Sequence, residues 1–408
     1  VPEAVVLRLV AFSVFAGAYV GLSLGRLPPF RIDRTGVAVV GAAAMVASGA
    51  LPWSEAVAAV DANTLVLLFG MMIVAAYLRL SGFFRLVTTW ALRWARTPAA
   101  ALVIVVGAAG VLSALFVNDV ICLVLAPLII DVTRRLRLPP LPYLVALATA
   151  ANIGSVATLT GNPQNMLVGS FSGISYRLFL LREAPVALVG LVLVVAIVWV
   201  TYRRQLPAAI APEAGPPSLA VHYPLMIKTV LVVAAMLLAF LAGVPIALVA
   251  ITGAAFTLLT RRVKPDKVYR EIDWKLLVLF AGLFVLTGGV ERTGVAEIIL
   301  KSPIGAVLER PIVLTTLCAA LSNVVSNVPA VLLFKPLVLG FSEPERAWLL
   351  LAMASTLAGN LTLLGSVANL IVVEVARGSG ITIGFTEYCR VGVPLTLLTL
   401  LVGWLFLG

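Results

Sequence analysis

Thr158-Leu-Thr-Gly161-Asn162-Pro163-Gln-Asn165 and Thr362-Leu-Leu-Gly365-Ser366-Val-Ala-Asn369 share the pattern T-x-x-G-[N/S]-x-x-N, each inside an otherwise apolar run. Amides and hydroxyls beside a glycine would leave backbone groups unpaired in hydrocarbon, which is tolerated only where a helix breaks around a polar cavity. A matched pair of broken helices in two halves is a sequence pointer to a transporter's binding site. The fold class expected from the pair is an all-α polytopic membrane protein. It comprises two inverted-topology repeats, each with a re-entrant hairpin and a discontinuous transmembrane helix.

Composition agrees with a bilayer setting. Of 408 residues, 62% are hydrophobic and 12% charged, and the mean hydropathy is +1.11, values outside those of a soluble domain. The net charge of +11 would suit nucleic acid, but the basic residues sit in short loops between apolar runs, as the positive-inside rule requires. No nucleic-acid partner is expected. The run from about Val5 to Gly25 lacks a basic leader region and a small-residue cleavage site and reads as a retained first helix. Cys122, Cys318 and Cys389 have neither disulfide nor zinc spacing and read as packing residues.

The duplication extends beyond the opening motif. Asp61 and Ser81-Gly82 match Asp273 and Thr293-Gly294 at a shift of 212; Asn118 and Pro127 match Asn327 and Pro336 at 209; Gly161 and Asn165 match Gly365 and Asn369 at 204. A shift that declines in steps is what a duplicated unit with short loop deletions produces. The first repeat is assigned to 1–203, with a hairpin at 98–136 and a broken helix at 142–172. A cytoplasmic linker rich in proline occupies 204–223. The second repeat is 224–408, with a hairpin at 311–341 and a broken helix at 346–376. Two or three spans and an amphipathic stretch (83–95; 295–309) precede each hairpin.

The arms flanking Asn118 and Asn327 are short for full crossings, and a hairpin that enters and leaves by one side gives each half five crossings. An odd number inverts the second half. Under this reading Arg26, Arg31, Arg34, Arg79, Arg85, Arg93, Arg96, Arg134, Arg135, Arg137, Arg203, Arg204, Arg261, Arg262, Lys264, Lys267 and Arg270 share one side. Glu55, Asp61, Glu291, Glu343 and Glu345 share the other. The basic side is then cytoplasmic, both termini are extracytoplasmic, and the first hairpin opens from the cytoplasm.

Asp119, at the first hairpin tip, is a carboxylate deep in apolar sequence, and such residues are functional candidates by default. Burial favours its neutral form, which suits a proton carrier. The alternative is a hairpin cap tying down backbone N–H groups. Asn118, Ser326 and Asn327 at the tips, with Thr158, Thr160, Gly161, Asn162, Asn165, Thr362, Gly365, Ser366 and Asn369 at the breaks, form a neutral oxygen-and-amide constellation. With half-helix ends it suits a small polyhydroxylated solute or oxyanion, or Na⁺. The competing reading is interhelical hydrogen-bond glue. Lys335 lies near the predicted outer end of its arm, where it is placed to snorkel, with a cargo or coupling role as the alternative. Gly21-Leu-Ser23-Leu-Gly25 formally matches a hydrolase elbow, but the single His222 lies in the linker, so no triad can form and no enzyme is expected.

The stretch from Ala151 to Asn165 resembles the ion-transporter superfamily of arsenite efflux permeases, plant silicon efflux transporters, Na⁺/H⁺ antiporters and divalent anion/sodium symporters. Ala347 to Ile371 looks most like the silicon-efflux and arsenite-permease branch, and Ser326-Asn327-Val328-Pro329 looks like the second hairpin of arsenite permeases. The resemblance covers nearly the whole chain. It implies a scaffold plus a mobile transport domain of hairpins and broken helices that moves as an elevator, often in a homodimer. In the dicarboxylate branch the tips carry Ser-Asn-Thr and hold Na⁺. Here they read Val117-Asn118-Asp119 and Ser326-Asn327-Val328, which disfavours two intact sodium clamps and favours proton coupling. The expectation is an inner-membrane antiporter exporting an oxyacid of the arsenite or silicic-acid type against the H⁺ gradient, without a bound cofactor. A Na⁺-coupled anion symporter or Na⁺/H⁺ antiporter is the alternative.

Overall fold

The structure, a computed structural model, describes residues 3–24, 26–27, 32–210, 221–260 and 262–408. Arg31, Arg261 and most of the proline-rich linker, with Pro212, Pro216 and Pro217, lie outside them. Among the described residues seven helices are long and apolar enough to cross a membrane. Only a two-residue β-ladder, Arg26–Leu27 with Ile32–Asp33, interrupts the helical architecture of the described chain.

Local chemistry sets the helix ends. Asp61 caps Ala62–Ser81 by accepting from the Thr64 N–H, and Asp273 caps Trp274–Glu291 by accepting from the Leu276 N–H at 3.0 Å. The helices end near Gly82 and Gly294, whose φ angles of 82° and 71° suit glycine. There the chain turns into short flanking helices. In the first half this is one helix, Phe83–Leu92. In the second, the single amphipathic stretch expected at 295–309 is two helices, Val295–Leu300 and Pro303–Leu308, because Pro303 restarts the helix behind a Ser302 cap.

The same order of elements occurs twice. Glu3–Leu24, Arg34–Ala47 and Ala62–Ser81 are followed by a hairpin (Pro98–Leu115, Asn118–Arg135), a broken helix (Pro140–Val156, Pro163–Ser172) and Tyr176–Tyr202. Tyr223–Leu241, Ile246–Leu258 and Trp274–Glu291 are followed by a second hairpin (Pro311–Val325, Asn327–Val338), a second broken helix (Pro344–Ala358, Val367–Gly378) and Phe385–Leu407. The third helix of each set packs on the first two of the other: Trp274–Glu291 on Arg34–Ala47 and Glu3–Leu24, and Ala62–Ser81 on Ile246–Leu258 and Tyr223–Leu241. Neither half could therefore bury its own third helix alone.

Polar contacts fix the ends of the bundle. Arg79, at the end of Ala62–Ser81, pairs with Glu271, just ahead of Trp274–Glu291, so these two helices run antiparallel. Tyr143 reaches the Pro98 carbonyl at 3.1 Å and Thr158 bonds the Ala114 carbonyl, so the first hairpin's entering arm runs parallel to Pro140–Val156. The returning arm leads back to Asp131 and Arg135, beside Arg79 and Arg85. At the other end Arg292 meets Glu55 at 3.4 Å, Glu291 meets Lys335, and Arg346 reaches the Leu407 carbonyl at 3.0 Å. One end of the bundle is thus rich in Arg and Lys. The carboxylates expected together gather at the other.

The inner halves of the broken helices, Pro140–Val156 and Pro344–Ala358, are buried along nearly their whole length. Close approach makes this possible: a Cβ on Gly154 would overlap the backbone of Gly110 in the first hairpin. The outward faces of Tyr223–Leu241 and Ile246–Leu258 instead expose Leu231, Leu238 and Phe256, as lipid-facing helices do. Gly154→Val should force the hairpin off the broken helix at a cost of about 3 kcal/mol or more. Thermal unfolding in detergent, read against Gly107→Ala, where a Cβ meets open space, tests this.

Candidate functional site

Both helices break where the sequence motif lies. Pro140–Val156 ends before Ala157 and helix resumes at Pro163; Pro344–Ala358 ends before Gly359 and helix resumes at Val367. Each restart is capped by its own side chain. The Asn162 carboxamide oxygen accepts from the Asn165 N–H at 2.8 Å, and the Ser366 hydroxyl accepts from the Ala368 N–H at 3.2 Å.

The freed carbonyls are taken up by the last asparagine of each motif. Asn165 donates its amide to the carbonyls of Ser155 (3.0 Å) and Thr158 (2.9 Å). Asn369 donates to those of Gly359 (2.8 Å) and Thr362 (3.2 Å), each 204 residues on. The two breaks are therefore equivalent at the level of single hydrogen bonds. Gly161 and Gly365 are required by the same crossing, since a Cβ would strike the backbone of Ser155 in one and lie 2.9 Å from the Gly359 oxygen in the other.

Asn152 joins the halves. Its amide nitrogen donates to the oxygens of Asn360 (2.8 Å) and Asn369 (3.0 Å), and its oxygen accepts from Asn118 (2.9 Å) and Ser366 (3.0 Å). Thr356, its counterpart, accepts from Asn162 (3.2 Å) and Gln164 (3.0 Å). Asn369 and Asn360 are held by backbone carbonyls, Asn360 at 3.2 Å from the Thr149 oxygen, so both must present oxygen to Asn152. Asn152 must then present its own oxygen to Asn118. The chain of donors leaves the carboxamide oxygens of Asn118 and Asn165 buried without a partner, and that of Asn323 joins them because its amide is spent on the Ala319 and Ala358 carbonyls. These atoms accept hydrogen bonds and donate none.

The hairpin tips differ. The Asn118 N–H bonds the Gly161 carbonyl at 3.0 Å, docking the first tip on the first break. At the second, Ser326 holds φ at 83°, a strained value for a side-chain-bearing residue, and Asn327 accepts from Ser322 at 2.6 Å. Thr160 does not join the amide cluster; its hydroxyl faces Tyr176 at 3.3 Å. Asp119 is half-buried. It is not the cap of its helix, because Val117 holds that position without a side-chain bond. Asp119 lies one turn before Leu123 on the same helix. Leu123, Pro127 and Asp131 line a cavity of about 460 Å³ together with Arg79, Arg85 and Arg135 at the basic end, and Asp119 is not among its lining residues.

Residues 19–358 match the citrate transporter family. The chain belongs to that family. It is also 31% identical to the silicon efflux transporter LSI3 of Oryza sativa subsp. japonica, over 99% of this chain and 98% of that one. It is 29% identical to the transporter Rv2685 of Mycobacterium tuberculosis, over 98% of each. Among solved structures it is similar to the YdaH transporter of Alcanivorax borkumensis, which has an unusual topology, with a TM-score of 0.63 at 18% identity over 98% of this chain and 96% of that chain. The protein is thus a multi-pass membrane transporter and not an enzyme.

In this transporter the motif residues Asn118, Thr158, Gly161, Asn162, Asn165, Gly365, Ser366 and Asn369 converge with Thr362 at the two breaks. Asn152, Ser155, Thr356, Gln164, Asn323 and Asn360 belong to the same cluster and were missed. Asn152 and Thr356 are related by the 204 shift, but being different residue types they left no visible repeat. Lys335 is a correction: its ammonium does not snorkel but pairs with Glu291 at 2.8 Å and sits 4.4 Å above the Phe171 ring, with the side chain 17% exposed. Breaking this half-buried pair lies between the surface and buried limits, about 1–3 kcal/mol. Lys335→Met should lower thermal stability accordingly, and Glu291→Gln combined with it should cost less than the sum. Asn152→Leu should be far more damaging to transport than either, since it orphans Asn118, Asn360 and Asn369 together, each unmet group costing about 1–3 kcal/mol; initial transport rates in vesicles at matched protein level test that ranking.

Proposed function

We propose that the chain is a secondary active transporter that exports a small weak oxyacid, of the arsenite or silicic-acid type, in exchange for protons by alternating access. The observation that carries the reading is the set of buried amide oxygens without partners at Asn118, Asn165 and Asn323. An undissociated oxyacid presents several O–H donors and no net charge at neutral pH. It would satisfy acceptor-only atoms as water does, where a polyanion would be repelled by them. The 31% identity to a silicon efflux transporter supports the same cargo class.

The two equivalent sets of helices form inverted repeats about this site. The basic end faces the cytoplasm, following the positive-inside rule, with the chain in the inner membrane. The cavity along Leu123, Pro127 and Asp131 then opens inward, lined also by Arg79, Arg85 and Arg135. Asp119, one turn deeper than the lining residue Leu123 and free of capping duty, carries the coupling proton. Cross-packed third helices make the static scaffold, and the hairpins and broken helices move against it.

A second reading is a Na⁺-coupled symporter of citrate-like anions, favoured by the family match and by the liking of carboxamide oxygens for alkali cations. Uptake into everted vesicles separates the two. Arsenite or silicic acid accumulating under an acid interior without Na⁺ is expected, and Asp119→Asn should abolish the dependence on the pH gradient; Na⁺-dependent citrate uptake would give the protein to the second reading.

A further inference from the structure

Glu183 belongs to no part of the site described above. It lies in Tyr176–Tyr202, two residues before Pro185, and is fully buried with neither carboxyl oxygen hydrogen-bonded. Tyr176, Glu183 and Gly190 are seven residues apart and so share one helix face. The Tyr176 hydroxyl meets Thr160, whereas a Cβ on Gly190 would touch Ile153. Glu183 therefore lies between these contacts, against the stretch 154–159 where the first broken helix unwinds.

A second route gives the same depth. This helix runs antiparallel to Pro140–Val156, and hence to the parallel hairpin arm Pro98–Leu115. Leu191 is the residue a Cβ on Gly110 would meet. Counting from that contact sets Glu183 level with Val117 and Asn118, the docked tip. The carboxyl is thus level with the tip, and Asp119 follows that tip one turn before Leu123, which lines the vestibule. Tyr176, two turns away on the same face, lines a separate cavity of about 310 Å³ with Asn63, Ser170 and Pro245, at the acidic end.

Among the described residues no cation pairs with Glu183, and only Arg182 acts on it, from a distance. Arg182, its neighbour on the same helix, is exposed. On the helices packed around it, Glu387 and Arg390 sit by Tyr202, Arg346 by Leu407 and Lys228 near Leu259, and Glu345 is exposed. Tyr143 faces Pro98, Tyr388 flanks the second break at Asn360, and Cys389 and Tyr223 lie at helix starts. An ionised carboxylate in that setting would lose its hydration with only the unpaired charge of Arg182 in exchange, whereas a neutral carboxyl needs only one acceptor.

We propose that Glu183 is a second proton site of the transport cycle, loaded from the acidic-end cavity through Tyr176 and Thr160 and paired with Asp119 across the first hairpin tip. It holds its proton while Asn118 is docked on Gly161, and releases it towards Asp119 and the vestibule when that docking opens. This rests on the proton-exchange reading above. Carboxamide at this position mimics the protonated acid and cannot release a proton.

Glu183→Gln in everted vesicles should therefore lose acid-driven arsenite uptake by about tenfold or more, yet retain arsenite counterflow in the absence of a pH gradient. Wild-type acid-driven uptake in this variant would overturn the proposal. Infrared difference spectra of the purified protein across a pH step give a test that needs no transport and no Gln variant: a carboxyl C=O band that moves in Glu183→Asp is expected. If no band moves, the site does not titrate and the proposal fails. If wild type shows no acid-driven arsenite uptake but the band is present, the cargo or coupling assignment fails while Glu183 stands as a proton site.

Discussion

A backbone that stops being helical in the middle of a bilayer must find partners for its freed N–H and C=O groups within the protein. Everything central to this transporter follows from that constraint. At each break one asparagine bridges two carbonyls and one polar residue caps the restarting helix. The price of an unmet group in hydrocarbon is several kcal/mol, far more than the few tenths that an average interhelical bond contributes in a membrane protein. The motif is therefore demanded by the break before any cargo is considered.

That demand also orients the site. Because backbone carbonyls can only accept, they force the amides of Asn165, Asn369, Asn360 and Asn323 to point inward to the chain and their oxygens outward. Asn152 transmits this polarity from the second break to the first hairpin tip. What began as satisfaction of the backbone ends as a cluster of acceptors. The glue and binding readings of the motif are thus two sides of one network: the nitrogens hold the fold and some of the oxygens are left over.

The halves are tied together in two different ways. Each third helix packs on the other half's first two. At the breaks, the tie is polar and runs through Asn152 and Thr356. The hairpin tips are not equivalent, for the first is docked by a backbone bond to Gly161 and the second is strained at Ser326. Lys335, on the second hairpin, bonds across to Glu291 at the end of Trp274–Glu291 and rests on Phe171 of the first broken helix.

The sequence by itself determined the membrane class, the duplication, the broken helices and most of the polar residues at the breaks. These are legible because hydrocarbon punishes polar residues at each position separately, so a Gly-Asn pair in an apolar run signals itself. The division of the second amphipathic stretch was also within reach, through Ser302-Pro303. Only the tertiary structure decided which atoms remain free, because amide orientation is set by partners 208 and 217 residues away. It decided too that Thr160 turns to Tyr176, that Asp119 does not cap its helix and that Lys335 is paired. Glu183 shows the limit most clearly: nothing in its local sequence singles it out, and only packing makes it a buried acid without a hydrogen-bond partner.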